Sequence, residues 1–279
     1  MRFIVRHETL YRYSVPVQLA VHQLRLNPRL EGVHLAARQL LLQPAAAVQV
    51  ERLDPFGNAV TEVEFSGSTL ELRIDSRFEL VVFAPGPLPT SLPLLPWPTQ
   101  IYAGLSAFRG GAGREDPAVQ QFARELAAQV GYEPIGFLDR LTSTLLERTD
   151  QQSRLRGDAQ PAAATLASRQ GSCRDLTVLF LAACRSLGFA ARFTSGYLAP
   201  LDRRDLPREL HAWPEVYLPG AGWRGWDPSQ GQRVHDAHVP LCAAPTQNAT
   251  MPVEGGYFFQ GPSVTTTLDF DLRISAFPS

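Results

Sequence analysis

A run of prolines divides this chain into two parts with different residue patterns. Six prolines stand between positions 85 and 98. Because proline has a fixed φ and no N–H to donate, this stretch can form neither a helix nor a central strand. We therefore expect residues 85–98 to be a semi-rigid linker between two domains. The chain has 279 residues, which is long enough for two domains, each with a hydrophobic core.

Residues 1–84 have the alternation of apolar and polar residues that is typical of β-strands. The turn Asp54-Pro55-Phe56-Gly57-Asn58 favours a hairpin between two of these runs. Six strands at short spacing predict an antiparallel β-sandwich or barrel-like domain. Within the C-terminal segment 246–279, residues 263–274 alternate in the same way. We expect them to form a strand that returns to the N-terminal domain.

Residues 99–245 mix helical and extended patterns, so the chain as a whole is predicted to be an α+β protein. Asp116-Pro117 is a typical helix start and Gly131 a typical end. Further helices are predicted near 136–147 and 173–187, and strands near 190–198, 211–218 and 223–226.

Composition excludes several classes of function. The formal net charge is −1, so we expect neither a nucleic-acid nor a membrane partner. The sequence contains no lysine, which excludes Schiff-base chemistry and phosphate binding by a Walker lysine. It has neither metal-ligand spacing nor a phosphate loop, and we expect no cofactor.

Cysteine use and the N-terminal residues bear on the compartment. Three cysteines without a Cys-x-x-Cys pair are too few for a disulfide framework. Charges interrupt the first eight residues, and no apolar run approaches the roughly 18 residues of a membrane helix. We therefore expect a cytoplasmic protein with free thiols.

One cysteine stands where its thiol could be reactive. Cys173 follows Gly171-Ser172 and begins a strongly apolar helical run. A helix N-terminus carries a partial positive charge, which favours the nucleophilic thiolate. A small core residue at the start of a helix would give the same local pattern.

A hairpin downstream carries a histidine and an aspartate. In the strand 210–218, His211 shares a face with Trp213, Glu215 and Tyr217. If the hairpin loop has an odd number of residues, Tyr217 pairs with Trp223, and Asp227 lies on the His211 face within reach of the imidazole. An even loop would place Asp227 on the opposite face. With an odd loop, Cys173, His211 and Asp227 would fit a catalytic triad of nucleophile, proton shuttle and orienting carboxylate.

These segments resemble the bacterial transglutaminase-like superfamily. The similarity is carried by Gly-Ser-Cys-Arg-Asp at 171–175, Leu-His-Ala-Trp-Pro-Glu-Val-Tyr at 210–217 and Trp-Asp-Pro at 226–228. It is specific over about 150–240, and the N-terminal strands and the segment 238–241 resemble the family more loosely. The resemblance implies a papain-like core behind a β-domain, and it places the family triad on Cys173, His211 and Asp227.

The resemblance also implies chemistry at amide bonds through a thioester intermediate. We expect a peptidase or amidase that takes a peptide or protein substrate. A true protein transglutaminase, or an inactive peptide-binding module, remains an alternative. The backbone N–H of Cys173 is one expected oxyanion donor, and the side chain of Gln152 is the candidate for a second. We expect Asp175 to have a structural rather than a catalytic role at the start of the helix. His238 could line the site, but its position favours a structural role in a loop. The oligomeric state stays open.

Overall fold

The computed structural model describes residues 1–98, 104–110, 115–154, 157–199 and 210–278. The N-terminal part consists of strands, and the part that follows combines helices with a second antiparallel sheet. This is the predicted α+β class. No helix among these residues is long and apolar enough to cross a membrane.

Two sheets form the N-terminal β-sandwich. The strands are β1 (Arg2–Leu19), β2 (His22–Leu24), β3 (Val33–Gln43), β4 (Val48–Leu53), β5 (Ala59–Glu64) and β6 (Thr69–Val82). β1, β6 and β3 lie in one sheet, whereas β2, β5 and β4 lie in the other. Apolar residues of both sheets, including Val17, Leu24, Val63 and Leu72, pack together between them.

The long strand β1 has neighbours on both edges. It pairs with β6 along one edge, and with a C-terminal strand, Thr266–Phe277, along the other. In the second pairing Arg2 lies opposite Phe277 and Tyr13 opposite Thr266. The alternation at 263–274 predicts this return to the N-terminal sheet.

Helices and a five-stranded sheet build the other part of the molecule. The helices are α1 (Pro117–Gln129), α2 (Pro134–Arg148), α3 (Ala162–Ser168) and α4 (Cys173–Ser186). The sheet contains β9 (Ala191–Leu198), β10 (Leu210–Leu218), β11 (Gly222–Asp227), β12 (Gln232–Arg233) and β13 (His238–Ala244), in the order 12-11-10-9-13. The two-residue strands β7 (Asp150–Gln151) and β8 (Gln170–Gly171) pair in parallel just before α4. β14 (Val253–Glu254) and β15 (Tyr257–Phe259) join the N-terminal sheets, and the returning strand is β16.

The apolar core does not stop at the boundary between the two parts. α4 is buried along most of its length, in a cluster that includes residues of α1, α2 and the sheet. A second cluster joins Phe3 and Leu80 of the N-terminal sheet to Tyr197 and Leu241 of the other sheet. The N-terminal sheet that contains β1 and the sheet that contains β9 therefore share a continuous apolar interface.

The proline-rich segment is packed rather than free. Residues 85–98 contain no helix or strand, as the prolines predict. Leu95 and Trp97 are nevertheless buried in the helical core. The backbone N–H of Trp97 donates to the carbonyl of Leu187, and the Trp97 ring lies 4.6 Å from that of Phe189. The segment therefore lies along the helical core as a strap.

Candidate active site

A buried carboxylate fixes the start of α4. Asp175 is fully buried and accepts hydrogen bonds from the Ser172 N–H (2.7 Å) and hydroxyl (2.8 Å), the Gln160 N–H (2.7 Å) and the Arg154 guanidinium (2.6 Å). Bonds from Ser172 are typical of a cap, which satisfies N–H groups left free at a helix start. A Cβ on Gly171 would lie 2.9 Å from the Cβ of Asp175, so this position has no room for a side chain. Asp175 thus has the predicted structural role.

Cys173 is the first residue of the helix that this cap holds. Its side chain is partly exposed, whereas Cys184 and Cys242 are buried. The helix N-terminus provides a partial positive charge beside the sulfur. Cys173 is therefore the cysteine that combines access with an environment favouring the thiolate.

The hairpin of β10 and β11 has the odd register. Tyr217 lies opposite Trp223, and Glu215 lies opposite Gly225. The same alternation carries Asp227 to the face of His211, and the His211 Nε2 donates to the Asp227 Oδ2 over 2.7 Å. The hydrogen bond predicted from hairpin parity is therefore present.

Asp227 is fully buried and has five hydrogen-bond donors around it. Its Oδ1 accepts from the Ser229 N–H (3.0 Å), the Ser229 hydroxyl (2.6 Å) and the Gln230 N–H (3.2 Å). Its Oδ2 accepts from His211 (2.7 Å) and from His238 Nε2 (3.0 Å). Such a set of donors compensates a buried carboxylate for its lost hydration.

Cys173 and His211 shift each other's ionisation. Burial raises the pKa of the Cys173 thiol, but hydrogen bonding to His211, its charge and the Ala212 N–H outweigh this, so the pKa lies below its usual value. Burial lowers the pKa of His211, but the charge of Asp227, its hydrogen bond and the contact with Cys173 raise it to about 10. The pKa of Asp227 is held low by His211 and His238 against the effect of burial. These directions favour a thiolate–imidazolium pair at neutral pH.

The segment before α3 brings two glutamines near the site. The Gln152 N–H donates to the carbonyl of Gly171 (2.9 Å), two residues before Cys173, and the residue is exposed. Its neighbour Gln151 donates from Nε2 to the carbonyl of Ser229 (2.9 Å), beside Asp227. Gln152 therefore lies in the segment next to Cys173, and its oxyanion role stays a prediction.

Sequence reasoning favoured a structural loop role for His238 over a place at the site, and the structure differs. This residue begins β13, is buried and is hydrogen-bonded to Asp227. The apolar residues that follow it signal a strand. Local sequence carries no signal for the Asp227 contact, because that contact depends on how β13 pairs with β9.

His211, Asp227 and His238 could also be considered as metal ligands. Their ligand atoms lie within 4.8 Å of one another. The Nε2 atoms of His211 and His238 already hydrogen-bond to the same Asp227 oxygen. A metal ion would have to displace both hydrogen bonds. The geometry is that of a hydrogen-bonded network.

Comparisons with known proteins agree with this architecture. Residues 120–228 match the family model of the transglutaminase-like superfamily, and residues 3–81 match that of the bacterial transglutaminase-like N-terminal region. The chain belongs to the transglutaminase-like superfamily. The core match covers Cys173, His211 and Asp227, and the second match covers nearly the whole N-terminal sandwich.

Relatives of this superfamily member occur in mycobacteria. An uncharacterised protein of Mycobacterium tuberculosis is 28% identical over 257 residues, which cover 85% of this chain and 82% of the relative. One of Mycobacterium leprae is 23% identical and covers 98% of both chains. A crystal structure from Cytophaga hutchinsonii, described as a "Putative Cysteine Protease", has a TM-score of 0.76 at 16% identity and covers 100% of this chain and 91% of the other. That likeness establishes a shared fold.

Proposed function

We propose that this transglutaminase-like protein is a thiol-dependent enzyme that cleaves amide bonds of peptides through a Cys173-His211-Asp227 triad. The observation that carries the proposal is the place of His211, whose ring is hydrogen-bonded to the buried Asp227 and interacts with Cys173. An imidazole between a buried carboxylate and a thiol is the arrangement that activates a cysteine nucleophile.

The first half of the reaction would form a thioester. The Cys173 thiolate attacks the amide carbonyl, and the tetrahedral intermediate carries its negative charge on oxygen. As this intermediate collapses, the His211 imidazolium gives its proton to the leaving amine and the C–N bond breaks. Asp227 keeps the ring in place and stabilises its positive charge.

The second half would release the acyl group. The now neutral His211 takes a proton from a water molecule, whose oxygen attacks the thioester carbonyl. The C–S bond breaks, and Cys173 leaves as a thiolate beside the restored imidazolium. The backbone N–H of Cys173 has no hydrogen-bond acceptor among the described residues, so it is available to the oxyanion in both halves.

The proposal is tested with a peptide library to which primary amines are added, with the products read by mass spectrometry. Hydrolysed amide bonds would support a peptidase or amidase. Products that carry the added amine would support the transglutaminase alternative and contradict cleavage by water.

Two cysteine variants serve as a matched pair. Cys173→Ala should abolish turnover, whereas Cys242→Ala, at a buried thiol outside the site, should retain it. Turnover that survives in a folded Cys173→Ala variant would overturn the proposal. Absence of turnover and of Cys173 alkylation in the unaltered protein would favour the binding-module alternative.

A further inference from the structure

The strongest unexplained feature near the site is a second histidine on the carboxylate. His238 Nε2 lies 3.0 Å from the same Asp227 oxygen that accepts from His211. The His238 side chain has 0% exposure, as does that of Asp227. Burying an imidazole costs free energy unless its polar atoms are satisfied, and this ring satisfies them at the site.

The contacts of His238 fix which ring nitrogen carries the proton. The backbone N–H of His235 donates to His238 Nδ1 (3.3 Å), so Nδ1 is the acceptor and Nε2 is the donor. Asp227, His211 and His235 are the ionisable groups that act on the pKa of this ring. The cavity that His238 lines also holds charged side chains, namely Arg29, Glu31, Arg192, Glu215 and Arg224. Burial lowers the pKa of His238, against the opposing hydrogen bond and charge of Asp227, which favours a neutral ring.

Packing also holds the orientation of this ring. The Trp213 ring stands edge-to-face against it, with centroids 5.1 Å apart, and the His235 ring does so at 5.0 Å. His238 also lines a cavity of about 230 Å³, together with residues of the N-terminal sheet and of β10, whereas Asp227 does not line it. Of these two residues, His238 is therefore the one that meets the cavity.

We propose that His238 is a positioning residue of the triad, a neutral hydrogen-bond donor that orients Asp227 toward His211. This inference rests on the proposed function. One Asp227 oxygen accepts from both imidazole rings, so the hydrogen bond from His238 limits the rotation of the carboxylate. The hydrogen bond between Asp227 and His211 therefore keeps the same geometry through both halves of the reaction. A donor without charge leaves the carboxylate free to pair with the imidazolium of His211.

The test compares two replacements of His238. His238→Phe fills a similar volume without a donor, whereas His238→Gln keeps an N–H near the position of Nε2. His22→Phe is the control for loss of a buried histidine, because His22 lies in the N-terminal sandwich and donates to the Ala20 carbonyl. Thermal unfolding confirms that each variant is folded.

Two rates are measured for each variant. The first is alkylation of Cys173 by iodoacetamide across pH, and the second is kcat and KM on a peptide found in the library screen. We expect His238→Phe to lower kcat by about tenfold to a hundredfold, as loss of a hydrogen bond to a buried charged group does, with little change in KM. The pH at which its Cys173 is half alkylated should also move from that of the unaltered protein.

The outcomes separate this inference from the proposed function. The positioning role is supported if His238→Gln recovers most of kcat and the pH profile of Cys173 alkylation. The control His22→Phe should leave both quantities unchanged. Equal kcat in His238→Phe and the unaltered protein, or equal losses in folded Phe and Gln variants, would overturn it. If the unaltered protein neither alkylates at Cys173 nor turns over peptide, the proposed function itself fails.

Discussion

At the scale of single residues, the site depends on differences among three cysteines. Cys173 is partly exposed and its thiol pKa is lowered, whereas burial raises the pKa of the Cys242 thiol to about 12 and that of Cys184 well above its usual value. Thiol reactivity follows the thiolate fraction and access. The three thiols should therefore react very differently in the folded protein.

The first prediction is selective labelling. Brief treatment of the native protein with iodoacetamide at pH 7 should modify Cys173 alone, because the other two thiols are buried and protonated. Peptide mapping by mass spectrometry measures this, and labelling in urea should reach all three cysteines. Labelling of Cys184 in the native protein to the same extent as Cys173 would contradict its assignment as a buried thiol.

The second prediction concerns pH. Since the Cys173 pKa is lowered, its thiolate should persist below the ordinary thiol pKa of about 8.5 and be lost as pH falls through the lowered value. His211→Ala removes the hydrogen bond and charge that lower it, so the pH of half-maximal alkylation should rise. An unchanged profile in this variant would show that His211 does not set the pKa.

Sequence reasoning reached the contact between His211 and Asp227 for a specific reason. Strand alternation and one assumption about loop parity were enough to place Asp227 on the face of His211, and the observed register agrees. The same reasoning could not find His238 as a partner of Asp227. That contact depends on β13 pairing with β9 rather than on any local pattern.

At the scale of secondary structure elements, the important feature is the cap of α4. The cap holds Cys173, which we propose as the nucleophile, and the capping carboxylate of Asp175 is buried. α1 has a simpler cap, in which the exposed Asp116 accepts from the Ala118 N–H over 2.8 Å. The two aspartates thus form a matched pair of caps with different burial.

The third prediction compares these two caps. Asp175→Ala would remove the acceptor of the Ser172 and Gln160 donors and the ion-pair partner of Arg154. We expect a loss of about 3 kcal/mol in the free energy of unfolding. Asp116→Ala should cost about 1 kcal/mol. Urea denaturation measures both values. Equal losses would contradict the claim that the buried cap by Asp175 stabilises the protein more than the exposed cap by Asp116.

Elements with strong periodic or capping signals were predictable, and short ones were not. Asp116-Pro117 and Gly131 bracket α1 closely. α2 begins at Pro134, where the Glu133 side chain caps it, two residues before the predicted start. α3 has only seven residues and no side-chain cap, so its sequence carries little helical signal.

At the scale of the whole molecule, the N-terminal and C-terminal segments share one sheet and one core. Leu272 of β16 is buried in the cluster that joins the two parts of the protein, whereas Phe270 on the same strand is 42% exposed. The proline-rich segment predicts a boundary between the parts. It does not reveal their shared interface, since contacts between distant segments are not encoded in local periodicity.

The fourth prediction uses this pair. Leu272→Ala should lower the free energy of unfolding by about 2–3 kcal/mol, as expected for a buried leucine, and Phe270→Ala by about 0.5 kcal/mol or less. Chemical denaturation followed by tryptophan fluorescence provides the measurement. A loss at Phe270→Ala larger than about 0.5 kcal/mol would mean that its side chain is buried by contacts beyond those of the described residues.

The pairing of β1 with β16 bears on how the protein is made. β1 is synthesised long before Thr266–Phe277, the strand that covers one of its edges. Until then the edge presents unpaired backbone groups, which invite association with other strands. The nascent chain must therefore protect an open sheet edge throughout translation, and premature termination before β16 would release a chain prone to aggregation.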